Sequence, residues 1–307
     1  MSRIAMKLQH PGSPPSRGQA GEGVRFGPYL RAGATRLASS DTPQLDARVI
    51  AKKALGLDDA GLIASADRPL SDTEIAAFDA LIARRAAGEP IAYIVGEKEF
   101  FGLTFKMTPG VLIPRPDTET LVHAVIRRRD AKTSWRILDL GSGSGAILLA
   151  LLKMLPKAAG VGVDVDPAAV ALASDNARAL DLAERARWVV GEWERAPEEE
   201  FDIIVSNPPY IEDGERDALA PDVRNYEDPR ALFAGRDGLD AYRRILPATR
   251  TRIAAQGLIV LELGADRSPA VGDLARREFA GATPSFDRDL ADRERALVID
   301  LKGQKKD

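Results

Sequence analysis

The sequence predicts an α/β protein with a small helical bundle ahead of its sheet. From about residue 114 onward, short apolar segments alternate with longer amphipathic ones, which is typical of a parallel sheet covered by helices on both faces. Residues 29–88 show helical spacing of apolar positions, and β-forming residues then cluster around Gly96 and Gly102. We therefore expect a disordered extension over 1–28, a helical domain over 29–89, a β-hairpin linker over 90–113 and the sheet domain over 114–307.

The composition of the chain restricts the chemistry it can perform. Of 307 residues, 45% are hydrophobic and 29% are charged, as in an average soluble globular protein. With no cysteine and only two histidines, disulfides, cysteine nucleophiles and multi-histidine metal centres are excluded. The net charge of −3 argues against electrostatic nucleic-acid binding by the chain as a whole. The longest apolar stretch, 146–152, ends at Lys153 and is too short to cross a membrane, so we expect a cytoplasmic protein.

The N-terminal third divides into a loose segment and a set of helices. Residues 1–28 are rich in Pro, Gly, Ser and Arg and have too little apolar content to offset the entropy of ordering. Thr42 and Pro43 have the pattern of an N-cap and a first-turn proline, and Gly56 follows as a stop. Ser71 and Glu74 match a capping box at the start of a further helix. The charges of this region nearly cancel, which suits docking of a protein better than of a duplex.

The sheet domain contains six strand candidates and five helix candidates. The strands are expected over 135–140, 160–165, 188–192, 201–206, 257–263 and 296–301. The helices are expected over 117–129, 146–155, 167–180, 239–255 and 268–279. Ligands of such sheets bind beyond the carboxyl ends of the strands, so residues that directly follow a strand are the candidates for function.

A glycine-rich turn follows the first of these strands. Gly141-Ser142-Gly143-Ser144-Gly145 has the spacing G-x-G-x-G, which differs from both the dinucleotide fingerprint and the phosphate loop. Glycine lets the chain turn tightly and lets a ligand approach the backbone, while the helix start beyond it offers free N–H groups. Asp139, just ahead of the loop, either holds the amino group of an amino-acid ligand or stabilises the turn.

The second strand ends in Asp164, about 20 residues after the glycine loop. An acid at this distance accepts hydrogen bonds from ribose hydroxyls in nucleotide-binding sheets, because a carboxylate offers two acceptor oxygens. Asp166 is the competing candidate, but it precedes Pro167 and has the pattern of a helix N-cap.

The fourth strand delivers Asn207-Pro208-Pro209-Tyr210 to the same edge of the sheet. The two prolines stiffen the segment and donate no N–H, so it presents two acceptors, the Asn207 side-chain oxygen and the Pro208 carbonyl. Two acceptors match the two donors of a planar NH₂ group and can turn the nitrogen lone pair toward an incoming methyl group. Tyr210 can pack on a flat substrate. Such catalysis depends on positioning and electrostatics.

Together, Asp139, the loop and Asp164 resemble the S-adenosylmethionine site of class I methyltransferases, whose fold is a Rossmann-like sheet of seven strands. The run Arg115–Glu119, the segment 88–93 and Asn207–Tyr210 are similar to the PrmC or HemK family, which methylates the glutamine of the Gly-Gly-Gln motif in class-1 peptide chain release factors. The resemblance extends over about 29–301. It implies S-adenosyl-L-methionine as cofactor and a release factor as partner.

The same resemblance assigns individual residues. Gly141, Ser142, Gly143, Ser144 and Gly145 match the cofactor loop of the family, and Asp164 matches its ribose acid. Trp193 matches a tryptophan near the adenine, and Glu192 stands where the family usually has aspartate. Asn207 matches a position that touches both cofactor and substrate, and Asn207–Tyr210 would hold the glutamine. Tyr226–Leu232 matches the family only loosely.

Three other functions remain open from the sequence. A related enzyme methylates glutamine in a ribosomal protein and has the same Asn-Pro-Pro-Tyr motif. An N6-adenine methyltransferase would hold a flipped adenine on these acceptors, and its basic patch could include Arg127, Arg128 and Arg129. A non-catalytic cofactor-binding scaffold is the third. For the favoured function we expect a monomer with no bound metal, no stable nucleic acid and no membrane association.

Overall fold

The computed structural model describes residues 23–302. The extension predicted over 1–28 therefore lies mostly outside the described residues. The prediction that it continues to residue 28 is wrong. The first helix begins at Phe26, and the side chain of Phe26 is only 2% exposed in the core of the N-terminal unit. An aromatic ring with this burial belongs to the helical domain, which thus begins before residue 29.

The described chain forms two compact units that divide between Val95 and Gly96. Between residues 23 and 95, the N-terminal unit has five α-helices: α1 Phe26–Arg36, α2 Pro43–Leu55, α3 Asp59–Ala64, α4 Asp72–Ala86 and α5 Ile91–Val95. The capping box at Ser71 is present, and Gly56 ends α2 with φ of 65°. Thr42 precedes α2, but its hydroxyl donates to Asp46 and caps no backbone N–H.

The β-hairpin is shorter than the sequence predicts. It consists of β1 Glu97–Phe100 and β2 Leu103–Lys106, which pair in antiparallel register around Phe101 and Gly102. Residues 91–95, expected to open the hairpin, instead form α5. Tyr93, Ile94 and Val95 have strand propensity, but all three are buried, and Ile94 packs into the core of the helical unit. Packing overrides propensity here.

The second unit is built on a sheet of seven strands, as the family resemblance implies. The order across the sheet is β5-β4-β3-β6-β7-β9-β8. The bounds are β3 Arg136–Leu140, β4 Ala159–Asp164, β5 Ala186–Val190, β6 Phe201–Ser206, β7 Ile253–Glu262, β8 Ser285–Arg288 and β9 Glu294–Asp300. Strands β3 to β7 are parallel, but β9 runs antiparallel to both β7 and β8. The expected parallel sheet therefore has one antiparallel strand, because the chain reverses between β8, which is not among the predicted strands, and β9.

Helices cover both faces of this sheet, as predicted. Their bounds are α6 Glu119–Ile126, α7 Ala146–Met154, α8 Pro167–Ala179, α9 Pro221–Tyr226, α10 Pro229–Leu232, α11 Asp240–Arg250 and α12 Ser268–Glu278. Leu121 and Leu148 lie in the core on one face, while Tyr242 and Val271 lie in the core on the other. The helix expected over 239–255 ends at Arg250, because Ile253 already pairs with Phe201 as a strand residue.

Strand register brings the candidate residues together. Asp139 of β3 pairs with Gly162 of β4 and with Val205 of β6. The glycine loop after β3, Asp164 at the end of β4 and Asn207 after β6 therefore meet at one edge of the sheet. This edge is the carboxyl end of the parallel strands, where ligands of such folds bind.

Candidate active site

A cavity of about 330 Å³ opens at this edge. Most of the residues that the sequence singles out line it, and they come from the ends of four strands: Gly141, Ser142, Gly143, Ser144, Asp164, Glu192, Trp193, Asn207 and Pro209. Asp139, Gly145, Pro208 and Tyr210 do not line it. The cavity is large enough for a small organic ligand.

The glycine loop is folded in a way that requires glycine. Gly141, Gly143 and Gly145 have φ of 78°, 53° and 81°, a left-handed region that other residues rarely adopt. A Cβ atom on Gly145 would lie 2.7 Å from the ring of Trp188. The buried hydroxyl of Ser142 lines the cavity and has no partner within the described residues. A loop with three glycines, and with a buried serine hydroxyl that has no partner among the described residues, fits a polar ligand that approaches the backbone.

Asp164 connects the second strand to the glycine loop. One carboxylate oxygen accepts from the Gly143 amide at 2.8 Å, and the other accepts from the Asp166 amide at 2.9 Å. Burial raises the pKa of Asp164, while these two amides lower it. Each oxygen retains a lone pair for a further donor, so two ligand hydroxyls could bind here. Asp166 caps α8 by accepting from the Ala168 amide, as the sequence predicts.

Asp139 lies beneath the loop rather than on the cavity wall. Its side chain is fully buried, and neither oxygen has a partner in normal hydrogen-bond geometry within residues 23–302. Burial raises the pKa of Asp139 to about 7, the negative charge of Asp164 acts in the same direction, and the Leu148 amide opposes them. Of the two roles expected for Asp139, the turn role is compatible with this position. Direct contact of Asp139 with a ligand stays a prediction.

One wall of the cavity is formed by Trp193 and Arg244. The Arg244 guanidinium lies 5.1 Å from the centre of the Trp193 ring and donates to Glu192 and to Glu194, each at 2.8 Å. A cation on the face of an indole attracts the ring and fixes its orientation. Glu192 is therefore held by Arg244 and remains on the cavity wall. Arg244 lies far beyond Trp193 in the chain, and the sequence pattern gives no indication of it.

The Asn207–Tyr210 segment follows β6, as the sequence predicts. The Asn207 amide nitrogen donates to the hydroxyl of Thr118 at 3.3 Å, while its oxygen accepts no hydrogen bond from residues 23–302. Pro209 lines the cavity, and Tyr210 packs against the sheet core while its hydroxyl donates to Glu262 at 3.4 Å. Burial raises the pKa of Tyr210, so its hydroxyl stays protonated. Asn207 lines the cavity and Pro208 does not, so the pair of acceptors described in the sequence analysis stays a prediction.

A further asparagine supports the loop from behind. Asn176 of α8 is 1% exposed and donates to the carbonyl oxygens of Ser144 and Lys106, while it accepts from the Lys106 amide. It therefore joins the glycine loop to strand β2. Asparagine within a predicted amphipathic helix is the only sequence signal for this role, and it was not recognised.

The loosely matching segment 226–232 also borders the cavity. Asp228, Arg230 and Ala231 line it, and the buried carboxylate of Glu227 accepts from Arg115 at 2.6 Å. Arg115 belongs to the Arg-Pro-Asp-Thr-Glu run. The ion pair thus joins the run ahead of α6 to the segment between β6 and β7.

Comparison with known proteins agrees with this geometry. The family model described as the PrmC N-terminal domain matches residues 29–96, and the one described as the methyltransferase small domain matches residues 103–222. A curated release factor glutamine methyltransferase of Rhodospirillum rubrum is 42% identical over 276 residues, which cover 89% of this chain and 84% of that protein. The chain belongs to the release factor glutamine methyltransferase family. A second member, from Bradyrhizobium diazoefficiens, is 44% identical over 82% of this chain and 85% of its own length.

Membership in this family makes the protein a methyltransferase. The solved catalytic domain of hMettl16, in complex with a hairpin of the MAT2A 3'UTR, has the same sheet fold with a TM-score of 0.54. It covers 74% of this chain and 84% of its own, at 18% identity, so the likeness concerns the fold alone. Among residues 23–302, no helix has the length and apolar character needed to cross a membrane. In the same range, no three His, Cys, Asp or Glu side chains are grouped as metal ligands.

Proposed function

We propose that this protein transfers a methyl group from S-adenosyl-L-methionine to the side-chain amide nitrogen of the glutamine in the Gly-Gly-Gln motif of a class-1 peptide chain release factor. The observation that carries the proposal is the identity of more than 40% to relatives with this name over most of the chain. The cavity beside the Asn207–Tyr210 segment also supports the proposal, because its lining suits the expected chemistry.

The residues around the cavity suit this cofactor. Asp164 would accept from the ribose hydroxyls through its remaining lone pairs, and the open backbone of Gly141–Gly145 would accommodate the methionine part. Trp193, held by Arg244, would lie against the adenine. When bound, S-adenosyl-L-methionine supplies a methyl group on a positively charged sulfur, so its departure leaves a neutral thioether and requires no general acid.

The Asn207–Tyr210 segment would position the nucleophile. An amide nitrogen is a weak nucleophile because its lone pair is delocalised into the carbonyl group. The Asn207 oxygen and the Pro208 carbonyl would accept from its two N–H groups and hold the lone pair toward the cavity. Tyr210, which is neutral, would pack against the glutamine side chain. After transfer, the nitrogen is strongly acidic and loses a proton to water. Positioning of this kind accounts for most of the expected rate gain.

The three arginines that the nucleic-acid alternative could use all have carboxylate partners, although two of them share one. Arg127 and Arg128 both pair with Asp287, and Arg129 pairs with Asp300. A phosphate backbone would have to displace these carboxylates before it could bind there. This argues for a protein substrate.

The proposal is tested by competition among substrates. Labelled cofactor is incubated with the protein and a mixture of release factor, ribosomal proteins and nucleic acid, which are then separated. We expect label in the release factor, and we expect Asn207→Ala to abolish it. Label confined to a ribosomal protein or to adenine would contradict the proposal and identify the alternative that holds.

A further inference from the structure

Arg244 lies on the wall of the cavity and contacts three side chains that follow β5. Its Nη2 atom donates to Oε2 of Glu192 at 2.8 Å. Its Nε and Nη2 atoms donate to the two carboxylate oxygens of Glu194 at 2.8 and 2.9 Å. Its guanidinium also lies 5.1 Å from the centre of the Trp193 ring. Arg244 belongs to α11 and to none of the sequence motifs described above, so its contacts require an explanation of their own.

The backbone of this turn is held by a different arginine. Arg252 is 8% exposed, and it donates to the backbone carbonyl of Glu194 at 2.8 Å and to that of Ala196 at 2.9 Å. The side chains of Arg244, Glu192 and Glu194 are 48%, 58% and 45% exposed, and ion pairs with this exposure contribute little to stability. We therefore expect replacement of Arg244 to free the two glutamate side chains without unfolding the turn.

The carboxylate of Glu192 keeps one oxygen for a ligand. Glu192 lines the cavity, and its Oε1 atom accepts no hydrogen bond from residues 23–302, while Oε2 is held by Arg244. The Trp193 ring also lines the cavity, and its indole nitrogen lies 3.6 Å from the position that a Cβ atom on Gly141 would take. A flat aromatic ring beside a negatively charged acceptor suits a heterocyclic base that carries an amino group.

We propose that Arg244 is a positioning residue of the cofactor site, which fixes the Glu192 carboxylate so that the site selects a purine with an amino group over one that lacks it. Because this inference rests on the function proposed above, the ligand is S-adenosyl-L-methionine, whose adenine has such an amino group. A purine without the amino group leaves the fixed carboxylate oxygen unpaired, and an unpaired polar group disfavours binding. A Glu192 side chain that is not fixed turns into solvent and avoids this penalty.

The test measures by calorimetry how tightly the protein binds two compounds. One is S-adenosylhomocysteine, which remains when the cofactor has lost its methyl group, and the other is its analogue with hydrogen in place of the purine amino group. The wild-type protein should prefer the first roughly ten- to a hundred-fold, as expected for a hydrogen bond to a charged group. Arg244→Met should reduce this preference about three- to tenfold, since Glu192 is no longer fixed. Methionine still covers the Trp193 ring, so the change removes the donors and keeps the packing.

Arg243→Met is the matched control for Arg244→Met. Arg243 precedes Arg244 in α11, its side chain is 45% exposed, and it pairs with Asp237 and Asp240 without lining the cavity. Arg243→Met should therefore keep the wild-type preference. Glu192→Ala tests the route, because it should reduce the preference and leave Arg244→Met nothing further to remove in the double variant. A further loss in the double variant would show that Arg244 does not act through Glu192.

Binding measured without turnover separates this inference from the proposed function. If no release factor is methylated, and yet Arg244→Met loses a preference that Arg243→Met keeps, the proposed substrate is wrong and the role of Arg244 stands. If a release factor is methylated and Arg244→Met keeps the wild-type preference, the role of Arg244 is overturned and the function stands. A wild-type protein that binds both compounds equally well, or binds neither, also overturns the role of Arg244.

Discussion

Two acidic residues at this site are buried in a way that lowers the stability of the folded protein when they are charged. Asp139 and Glu262 are carboxylates buried almost completely at the carboxyl edge of one sheet, and burial raises the pKa of each to about 7. An acid in such a position reduces the stability of the folded state when it is charged. We infer that these residues serve the site, since uncharged residues of the same shape would stabilise the fold better.

Asp139→Asn should therefore stabilise the protein in a pH-dependent way. Between its usual pKa near 4 and the value of about 7 in the fold, the folded state holds one more proton than the unfolded state. The free energy of unfolding of the wild-type protein thus falls as pH rises through this window. The asparagine variant does not titrate, so its advantage should grow by about 1.4 kcal/mol per pH unit within this window.

Urea denaturation of the cofactor-free protein at pH 5 and pH 8 measures this difference. Glu262 is present in both proteins, so its own titration cancels in the comparison. An advantage of the variant that is equal at both pH values would show that Asp139 does not titrate within the window.

At the scale of elements, the turn between β3 and α7 has little room for residues other than glycine. Gly145 combines positive φ with contact to Trp188 and to Ala173 of α8. Asn176 of α8 hydrogen-bonds the Ser144 carbonyl. The loop is thus fixed by the strand that precedes it and by a helix that follows much later in the chain. Such a loop has the same backbone conformation before and after a ligand binds, so its backbone is already accessible to the ligand.

Gly145→Ala should lower the free energy of unfolding by about 2–5 kcal/mol, from backbone strain together with overpacking against Trp188. Gly281→Ala is the matched control, because Gly281 has φ of 90° but no neighbouring atom lies within 4 Å of the position that the new methyl group would take. The control should lose only about 1–2 kcal/mol. Equal losses in the two variants, measured by urea denaturation, would show that the contact with Trp188 is unimportant.

Local signals were enough to predict many elements. The capping box at Ser71, the N-cap at Asp166 and strand 201–206 follow from a few neighbouring residues each, and the structure agrees with them. Elements set by distant contacts were missed. Strand β8 has no clear alternation of buried and exposed residues, so the sequence does not indicate it. The strand propensity of residues 93–95 predicts a strand where their burial in the structure favours the helix α5.

The same limit applies to the site. Gly141–Gly145, Asp164 and Asn207 directly follow or end strands, so the sequence indicates them. Thr118 contacts Asn207 from 89 residues away, and Arg244 contacts Glu192 from 52 residues away. No local pattern specifies such partners, and they depend on the order of strands in the sheet.

At the scale of the whole molecule, the two units have separate cores. Every residue that lines the cavity lies between 110 and 244, within the second unit. The N-terminal unit has its own core around Phe78, and the PrmC N-terminal domain model matches it. We propose that the N-terminal unit docks the release factor while the second unit binds the cofactor.

Phe78→Ala tests this division. Phe78 is 2% exposed, so its truncation should destabilise the N-terminal unit by about 3–5 kcal/mol. We expect methylation of the release factor to fall while the dissociation constant of the cofactor, measured by calorimetry, stays the same. Phe201→Ala is the matched comparison in the sheet, where Phe201 is 1% exposed. This variant should impair both methylation and cofactor binding. Loss of cofactor affinity in Phe78→Ala would contradict the division.

The most direct test of the proposed function is the mass of a release factor after incubation with the protein and S-adenosyl-L-methionine, followed by mapping of the modified residue. We predict one added methyl group on the glutamine of the Gly-Gly-Gln motif. It should be absent with Asn207→Ala and absent when that glutamine is replaced by glutamate, which has no amide nitrogen. A methyl group on any other residue, or one that persists with Asn207→Ala, would contradict the proposed function and the role of Asn207 in it.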